Sequence, residues 1–417
     1  MIIMISSPKC AASHDLNFGR SDMPHTIKRL TGLSGLNAIQ GNILMPQGFV
    51  AGVIEFFSGG RIASITGQAI TANAVRDSHE PIILPGFIDQ HVHGGGGHDI
   101  MEGGDAAMRV AQLHAQYGTT SLLATTMTAP TADLELAFTG LAPTCNAPRH
   151  TGAGAARLRG ARVLGVHLEG PYINAGKLGA QPDFARPMQL NELKHLNDIA
   201  PIRLITLAPE VPGNMETIES LVAAGYRVQL GHTAGSYEDG VTAMAKGANG
   251  FTHLFNAMTG MHHRTPGMVG AALAHSQYAE IIPDLLHVHP GAMKVALRAI
   301  PRLFCVTDST AAAGMPDGEY RLGRHTVTKC MGGVRLADGT LAGSTLTMDQ
   351  ALRNLVNELQ LDLADASRRV STYAADFLGI TDRGRLVTNA WADVVVLDRD
   401  LKLTDVFVEG LSVEHAR

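Results

Sequence analysis

The sequence predicts an α/β protein: a (β/α)8 TIM barrel carrying a small β-sandwich domain built from both chain ends. Three observations predict it. Eight apolar, strand-like runs alternate with helical stretches along the middle of the chain, at 82–90, 120–126, 162–168, 202–208, 227–231, 250–254, 280–287 and 303–307. Eight β/α units spread over about 230 residues match the size of such a barrel. Short β-branched runs lie before the first unit and after the last, where one flanking domain would collect them. No G-x-G-x-x-G follows the first run, which counts against an open dinucleotide-binding sheet.

Taken in order, residues 1–30 read as an extension of little structural content. The runs Asn37-Ala-Ile-Gln-Gly, Val53-Ile-Glu-Phe-Phe and Arg61-Ile-Ala-Ser-Ile-Thr are strand-like, and Gly59-Gly60 supplies a hairpin turn between the last two. The pattern changes at Pro81-Ile-Ile-Leu-Pro-Gly-Phe-Ile-Asp, where the barrel begins. After the eighth run a β-rich segment is predicted at 325–343, then helices at 347–359 and 367–378. Ala392-Asp-Val-Val-Val-Leu-Asp and Val406-Phe-Val-Glu return to strand. The expected domains are 31–84 plus 385–417 for the β unit and 85–384 for the barrel.

Composition narrows the function. Hydrophobic residues make up 45% and charged residues 17%, enough for a large core and unlike a disordered chain. Lys+Arg minus Asp+Glu is 33 − 38 = −5, so no basic excess suggests a nucleic-acid partner. The four cysteines, Cys10, Cys145, Cys305 and Cys330, form no CxxC pair. That argues against a disulfide scaffold or a thiolate zinc site and fits a cytoplasmic setting. No run approaches 18 apolar residues, so no membrane span is predicted. The start is apolar but short and lacks a basic segment, so it is not read as a signal peptide. Nineteen histidines in a slightly acidic chain raise the expectation of a histidine metal site.

A TIM barrel carries its reactive groups at the C-terminal ends of its strands. Here the first end is His91-Val-His93 followed by four glycines, the third His167-Leu-Glu169-Gly-Pro, and the fifth Gly231-His232-Thr. The sixth is Thr252-His253-Leu-Phe-Asn256, the seventh His287-Val-His289 and the eighth Thr307-Asp308-Ser-Thr. In an extended segment H-x-H puts both imidazoles on one face. Each piece alone has a plain explanation: a loop cap, a core histidine, a surface ion pair, a helix cap at Asp308. Six of eight strand ends carrying His, Glu or Asp over apolar strand bodies is a stronger signal. Imidazoles and one carboxylate on a common rim suit a divalent transition metal (zinc, iron, manganese or cobalt), which activates water. An aspartate on the last strand can accept that water's proton and return it to a leaving nitrogen.

Two motifs resemble the amidohydrolase superfamily: Pro85-Gly-Phe-Ile-Asp-Gln-His91-Val-His93-Gly at the start of the barrel, and Gly384-Arg-Leu386 with Ala392-Asp-Val-Val-Val-Leu-Asp398 at its end. Further stretches are His167-Leu-Glu169-Gly-Pro-Tyr, Leu207-Ala-Pro-Glu210, Gly231-His232-Thr-Ala and Thr252-His253-Leu-Phe-Asn256-Ala-Met. To these add Arg264-Thr-Pro-Gly-Met-Val-Gly, Leu286-His287-Val, Val306-Thr-Asp308 and Leu341-Ala-Gly343-Ser-Thr-Leu-Thr-Met. Together, collinear over about 40–417, they resemble the N-acetylglucosamine-6-phosphate deacetylase family. The resemblance implies metal-dependent removal of the acetyl group from N-acetyl-D-glucosamine 6-phosphate, in the cytoplasm, by a homodimer. It implies Glu169, His232 and His253 as metal ligands and Asp308 as catalytic acid/base. It implies Asn256, Ala257, Arg264 and His287 as phosphosugar contacts, with Ala180 and the segment Leu341, Ala342 and Gly343 as further ones. Arg264 in a Gly/Pro-rich loop suits a phosphate fork in its own right. Some family members hold a second metal through the first-strand histidines; both His91 and His93 are present, so one or two metals per subunit are expected. Gln181 stands where some members have a histidine. Two alternatives remain open: the N-acetylgalactosamine epimer, and another amidohydrolase acting on a cyclic amide. The branch with a metal-bridging lysine on strand four is disfavoured, since that strand ends Leu207-Ala-Pro-Glu210. A catalytically dead binding barrel would have lost ligands, and none is missing.

Overall fold

The structure is a computed structural model describing residues 29–31, 37–147 and 160–413. Most of the expected extension, residues 1–28, lies outside the described residues. Arg29–Thr31 already form a strand, paired antiparallel with Asn37–Met45.

Eight parallel strands build the barrel: β1 (Phe87–Val92), β2 (Thr119–Thr126), β3 (Arg162–Glu169), β4 (Ile202–Leu207), β5 (Arg227–Leu230), β6 (Gly250–Phe251), β7 (Tyr278–Ile281) and β8 (Arg302–Cys305). The first six form one sheet in chain order, and β7 pairs with β8. Loop hydrogen bonds close the ring. The Leu254 N–H donates to the Glu280 carbonyl at 2.9 Å, and the Asp308 N–H donates to the His91 carbonyl at 2.9 Å. Val92 and Ser309 form a parallel bridge. Strand bodies are buried on both faces because helices cover one and the barrel interior the other. Helix Asn214–Ala223 shows the pattern, burying Ile218 and Leu221 toward the strands.

Three elements differ from the sequence reading. The run 82–90 is two strands. Ile82–Pro85 pairs with Val394–Leu397 and Asn37–Met45 in the sheet of the chain ends, and β1 starts at Phe87. Gly86 is the joint, where a Cβ would stand 2.2 Å from Thr120 Oγ1. The seventh strand ends at Ile281, not at His287; Pro283 has no N–H for a ladder. His289 then caps helix Pro290–Ala299 by accepting the Gly291 N–H. The last helical region is three helices, Met348–Asn357, Leu363–Val370 and Thr372–Leu378, the latter two separated only by Ser371. The β-rich segment after the barrel is an antiparallel trio, Gly318–Leu322, His325–Cys330 and Gly333–Arg335.

Both chain ends contribute to one sheet of eight strands, whose strands hydrogen-bond as a single sheet rather than as two. Strand alternation gives it two jobs. Val394 and Val396 join a local core with Ile39, Ile43, Ile54 and Phe56, while Val395 and Leu397 join the barrel core.

Candidate active site and metal centre

The barrel rim gathers the acidic and imidazole groups. Glu169 is the last residue of β3. His93 follows β1 directly, and His232 and His253 lie just past β5 and β6. Asp308 follows β8 by three residues. The loops bend sharply there. His232, His253, Ala257 and Asp308 have φ of 47°, 29°, 50° and 50°, four of the eleven non-glycine residues with positive φ among those described. Such backbone is uncommon outside glycine and collects at functional sites.

Glu169 is shared by two groups of ligand atoms. Its Oε1 lies 3.1 Å from His232 Nε2 and 3.1 Å from His253 Nε2, and those nitrogens are 3.0 Å apart. Its Oε2 lies 3.1 Å from His93 Nε2. His91, His93 and Asp308 form the second group: Asp308 Oδ1 is 3.5 Å from His91 Nε2 and 3.3 Å from His93 Nε2. All of these residues are buried.

The donor set fits a cation. The His232 Nδ1–H donates to the Lys177 carbonyl at 2.8 Å, which leaves Nε2 with a lone pair facing Glu169 and His253. Two imidazole nitrogens and a carboxylate oxygen, all within 4.8 Å of one another, then converge lone pairs on one point. That is the ligand chemistry of a divalent transition metal. Electrostatics agree. Burial pushes the Asp308 and Glu169 carboxyls up, but the imidazoles, His91 foremost, outweigh it and hold Asp308 at about 2 and Glu169 well below its usual range. In turn burial pulls the His93 imidazole down, while Asp308 and Glu169 carry it up to about 9. The carboxylates favour positive charge at this point, whether proton or metal.

A cavity of about 240 Å³ opens over the rim. Glu169, His93, His232, His253 and Asp308 line it, with Ala180, Asn256, Ala257, His287, Leu341 and Gly343. His287 is held by Asp284, whose Oδ2 is 2.6 Å from Nδ1; burial lowers its proton affinity and that hydrogen bond more than restores it. Two expected contacts lie elsewhere. Ala342 is buried behind the lining, its N–H donating to the Val334 carbonyl. Arg264 is exposed, with Nη1 2.8 Å from His263 Nε2.

His167, on the inward face of β3 with Glu169, is a satisfied core histidine: its ring meets the Gln90 carbonyl and the Thr206 hydroxyl. Three polar residues at the site carried no assigned role in the sequence reading. Gln181 is buried, accepts the Thr128 N–H at 2.7 Å and donates to Glu169 Oε2. Asp89 accepts from the Thr307 hydroxyl at 2.6 Å and from the Thr307 and His91 N–H groups, with burial raising its pKa to about 7. Glu280 on β7 lies 3.0 Å from His91 Nδ1. The signal for the last two was available: a carboxylate inside an otherwise apolar strand is out of place unless it has a partner.

A parallel (β/α)8 barrel whose rim converges imidazoles and carboxylates is the architecture of a metal-dependent hydrolase. The chain belongs to the amidohydrolase family, whose model it matches over residues 82–413. Its relatives are amino-sugar phosphate deacetylases. It is 38% identical to the N-acetylgalactosamine-6-phosphate deacetylase of Escherichia coli O157:H7, over 81% of this chain and 89% of that one. It is 37% identical to the N-acetylglucosamine-6-phosphate deacetylase of Vibrio furnissii, over 80% and 83%. Among solved structures it resembles an N-acetyl-D-glucosamine-6-phosphate deacetylase mutant from Mycobacterium smegmatis in complex with N-acetyl-D-glucosamine-6-phosphate. That match has TM-score 0.80 and 32% identity, covering 90% of this chain and 98% of that one.

Proposed function

We propose that the chain hydrolyses the N-acetyl group of N-acetyl-D-glucosamine 6-phosphate, giving D-glucosamine 6-phosphate and acetate, in cytoplasmic amino-sugar catabolism. The observation that carries this reading is the convergence of His232, His253 and Glu169 lone pairs beside the Asp308 carboxylate, inside one cavity. Relatives that act on this class of substrate supply the substrate.

Glu169, His232 and His253 would hold one divalent metal (zinc, iron, manganese or cobalt), and His91, His93 and Asp308 a second. A metal bound there lowers the pKa of water and polarises the amide carbonyl. The chain's own residues do the rest. The Asp308 carboxylate, held ionised, accepts the proton of the attacking water. It then delivers that proton to the amide nitrogen as the C–N bond breaks, so the nitrogen leaves as an amine and the acyl carbon as acetate. Asn256, Ala257, Ala180, Leu341 and Gly343 shape the sugar pocket, with Ala342 behind them, and His287 offers a proton-bearing imidazole to the substrate. Arg264, outside the cavity of its own subunit, suits a phosphate across a homodimer interface.

A second reading has its own support, since one relative is named for the galactosamine epimer. Acetate release from both N-acetylated 6-phosphosugars and from unphosphorylated N-acetylglucosamine separates the two. Release from the glucosamine epimer, stopped by a chelator and restored by metal, is the expected result. Faster release from the galactosamine epimer would transfer the assignment. No release from either with any metal added would end it.

A further inference from the structure

Glu280 is fully buried in β7, pointing into the barrel beneath the rim. One oxygen, Oε2, accepts from His91 Nδ1 at 3.0 Å and from the His253 backbone N–H at 3.2 Å. The other, Oε1, is buried with no hydrogen-bond partner. No lysine or arginine contacts it among the described residues; its only ion-pair partner is the His91 ring. An ionised carboxylate so far from water is costly unless positive charge is nearby.

The His91 ring faces two ways. With Nδ1–H given to Glu280, Nε2 is the atom left to bind a cation, and it points at Glu169 Oε1 (3.3 Å), Asp308 Oδ1 (3.5 Å) and His93 Nε2 (3.2 Å). The ring has no freedom to turn: His167 stands edge-on at 4.6 Å between centroids, its own nitrogens committed elsewhere. A carboxylate behind a ligating imidazole fixes the tautomer, locks the ring and makes the free nitrogen more basic.

We propose that Glu280 is the positioning residue that makes His91 a metal ligand, so that binding of a second cation at His91, His93 and Asp308 depends on it. The inference rests on the cation sites of the proposed function. It assigns Glu280 no contact with substrate. The first site, at Glu169, His232 and His253, reaches Glu280 only through the His253 main chain.

Two substitutions separate charge from shape. Glu280→Gln keeps an oxygen that can accept both hydrogen bonds and removes the charge. Glu280→Ala removes both and frees the His91 tautomer. The full chain is stripped with a chelator, equilibrated with Zn2+ at buffered free concentrations, and its bound zinc counted by mass spectrometry of the metal. The parent is expected to take two zinc ions. In Glu280→Gln the weaker ion loses affinity about tenfold, and in Glu280→Ala about a hundredfold, the range for loss of a partner behind a ligand. The tighter ion is expected to stay within about twofold in both. Because the glutamine side chain has the same size, a folding failure of the alanine variant leaves the test intact. The inference is overturned if the parent holds a single ion, if Glu280→Gln binds both ions as the parent does, or if both ions weaken together. A parent that binds two zinc ions yet releases no acetate would instead refute the deacetylase reading and leave this one standing.

Discussion

Strand β3 begins at Arg162 and ends at Glu169, and each residue is the centre of a buried charge cluster. They lie roughly 23 Å apart along the strand at about 3.3 Å per residue. At the bottom, Arg162 donates through Nε and Nη2 to the two Glu409 oxygens at 3.0 and 2.8 Å. Arg383 sits between Glu409 and Asp393, bonding both, and the Glu409 N–H donates to Asp393 Oδ1 at 2.8 Å. Two guanidinium groups face two carboxylates, and the network ties the barrel to the sheet of the chain ends. At the top, Glu169, Asp308 and Glu280 have imidazoles as their ion-pair partners, and no lysine or arginine pairs with them among the described residues. The difference separates two uses of buried charge. A cluster neutralised by its own side chains fixes structure, and one left short of positive charge is built to receive it. It also follows the barrel rule that stability sits at the N-terminal face and chemistry at the C-terminal one.

The largest expected effect breaks the top cluster alone. Asp308→Asn keeps the shape and loses the proton acceptor, so turnover should fall by about 10²–10⁴-fold. Metal remains bound at Glu169, His232 and His253, and the urea unfolding midpoint does not drop. Steady-state acetate release with metal analysis checks this; near-parent turnover removes Asp308 from the role. The bottom cluster should answer the opposite way. Arg162→Ala strands part of the Glu409 charge in the core, which costs about 3–5 kcal/mol for a broken buried pair. The remaining Arg383 bond puts the expected loss at the lower end. Urea unfolding should show the loss while metal content and turnover of the folded protein at low temperature stay at parent values. A variant as stable as the parent, or one that loses metal, would mean that the two ends of β3 are not separate in function.

Much of the top cluster was legible in the sequence, because strand ends can be read from apolar runs and the rim residues interrupt them. Glu169, His232 and Asp308 each follow a run directly, and His253 stands near the end of its own. Glu280 was hidden by a wrong strand boundary. The stretch Glu280-Ile-Ile-Pro-Asp-Leu-Leu-His is apolar enough to read as one run, so the glutamate seemed to open a strand rather than point into the barrel near its end. Pro283 was the available sign of the break. The bottom cluster was not legible at all. Arg162 and Glu409 are 247 positions apart, and nothing in spacing or periodicity pairs a strand's first arginine with a glutamate near the chain end. Such pairs come from closing the chain ends over the barrel, which is a property of the fold and not of any segment. Arg264 marks a third limit: its motif was plain, but a surface position has no local signature of what it faces.

The smallest effect sharpens the comparison through pH. Burial pushes the Glu409 carboxyl up, but Arg162 and Arg383 outweigh it and hold it below the ordinary glutamate range. Asp393 shares only Arg383 and has Glu409 beside it, so burial prevails there and its carboxyl is raised. The signs follow from proton linkage. A depressed folded pKa gives Glu409 a stabilising contribution that is full above about 4.3, the unfolded value, and is lost as pH falls through the folded one. Asp393 acts in reverse, its raised folded pKa favouring the native state as protons bind. The two partly cancel, so the bottom cluster's own contribution to stability should fall only gently on acidification. Glu409→Gln removes the first contribution and leaves the part of the second that comes from burial of Asp393. The stability gap between parent and variant, measured by urea midpoints at pH 7 and near pH 3, should therefore narrow at the lower pH. A gap of equal size at both would mean that the Glu409 charge contributes nothing to holding the sheet on the barrel, and that the bottom cluster works by shape and hydrogen bonding alone.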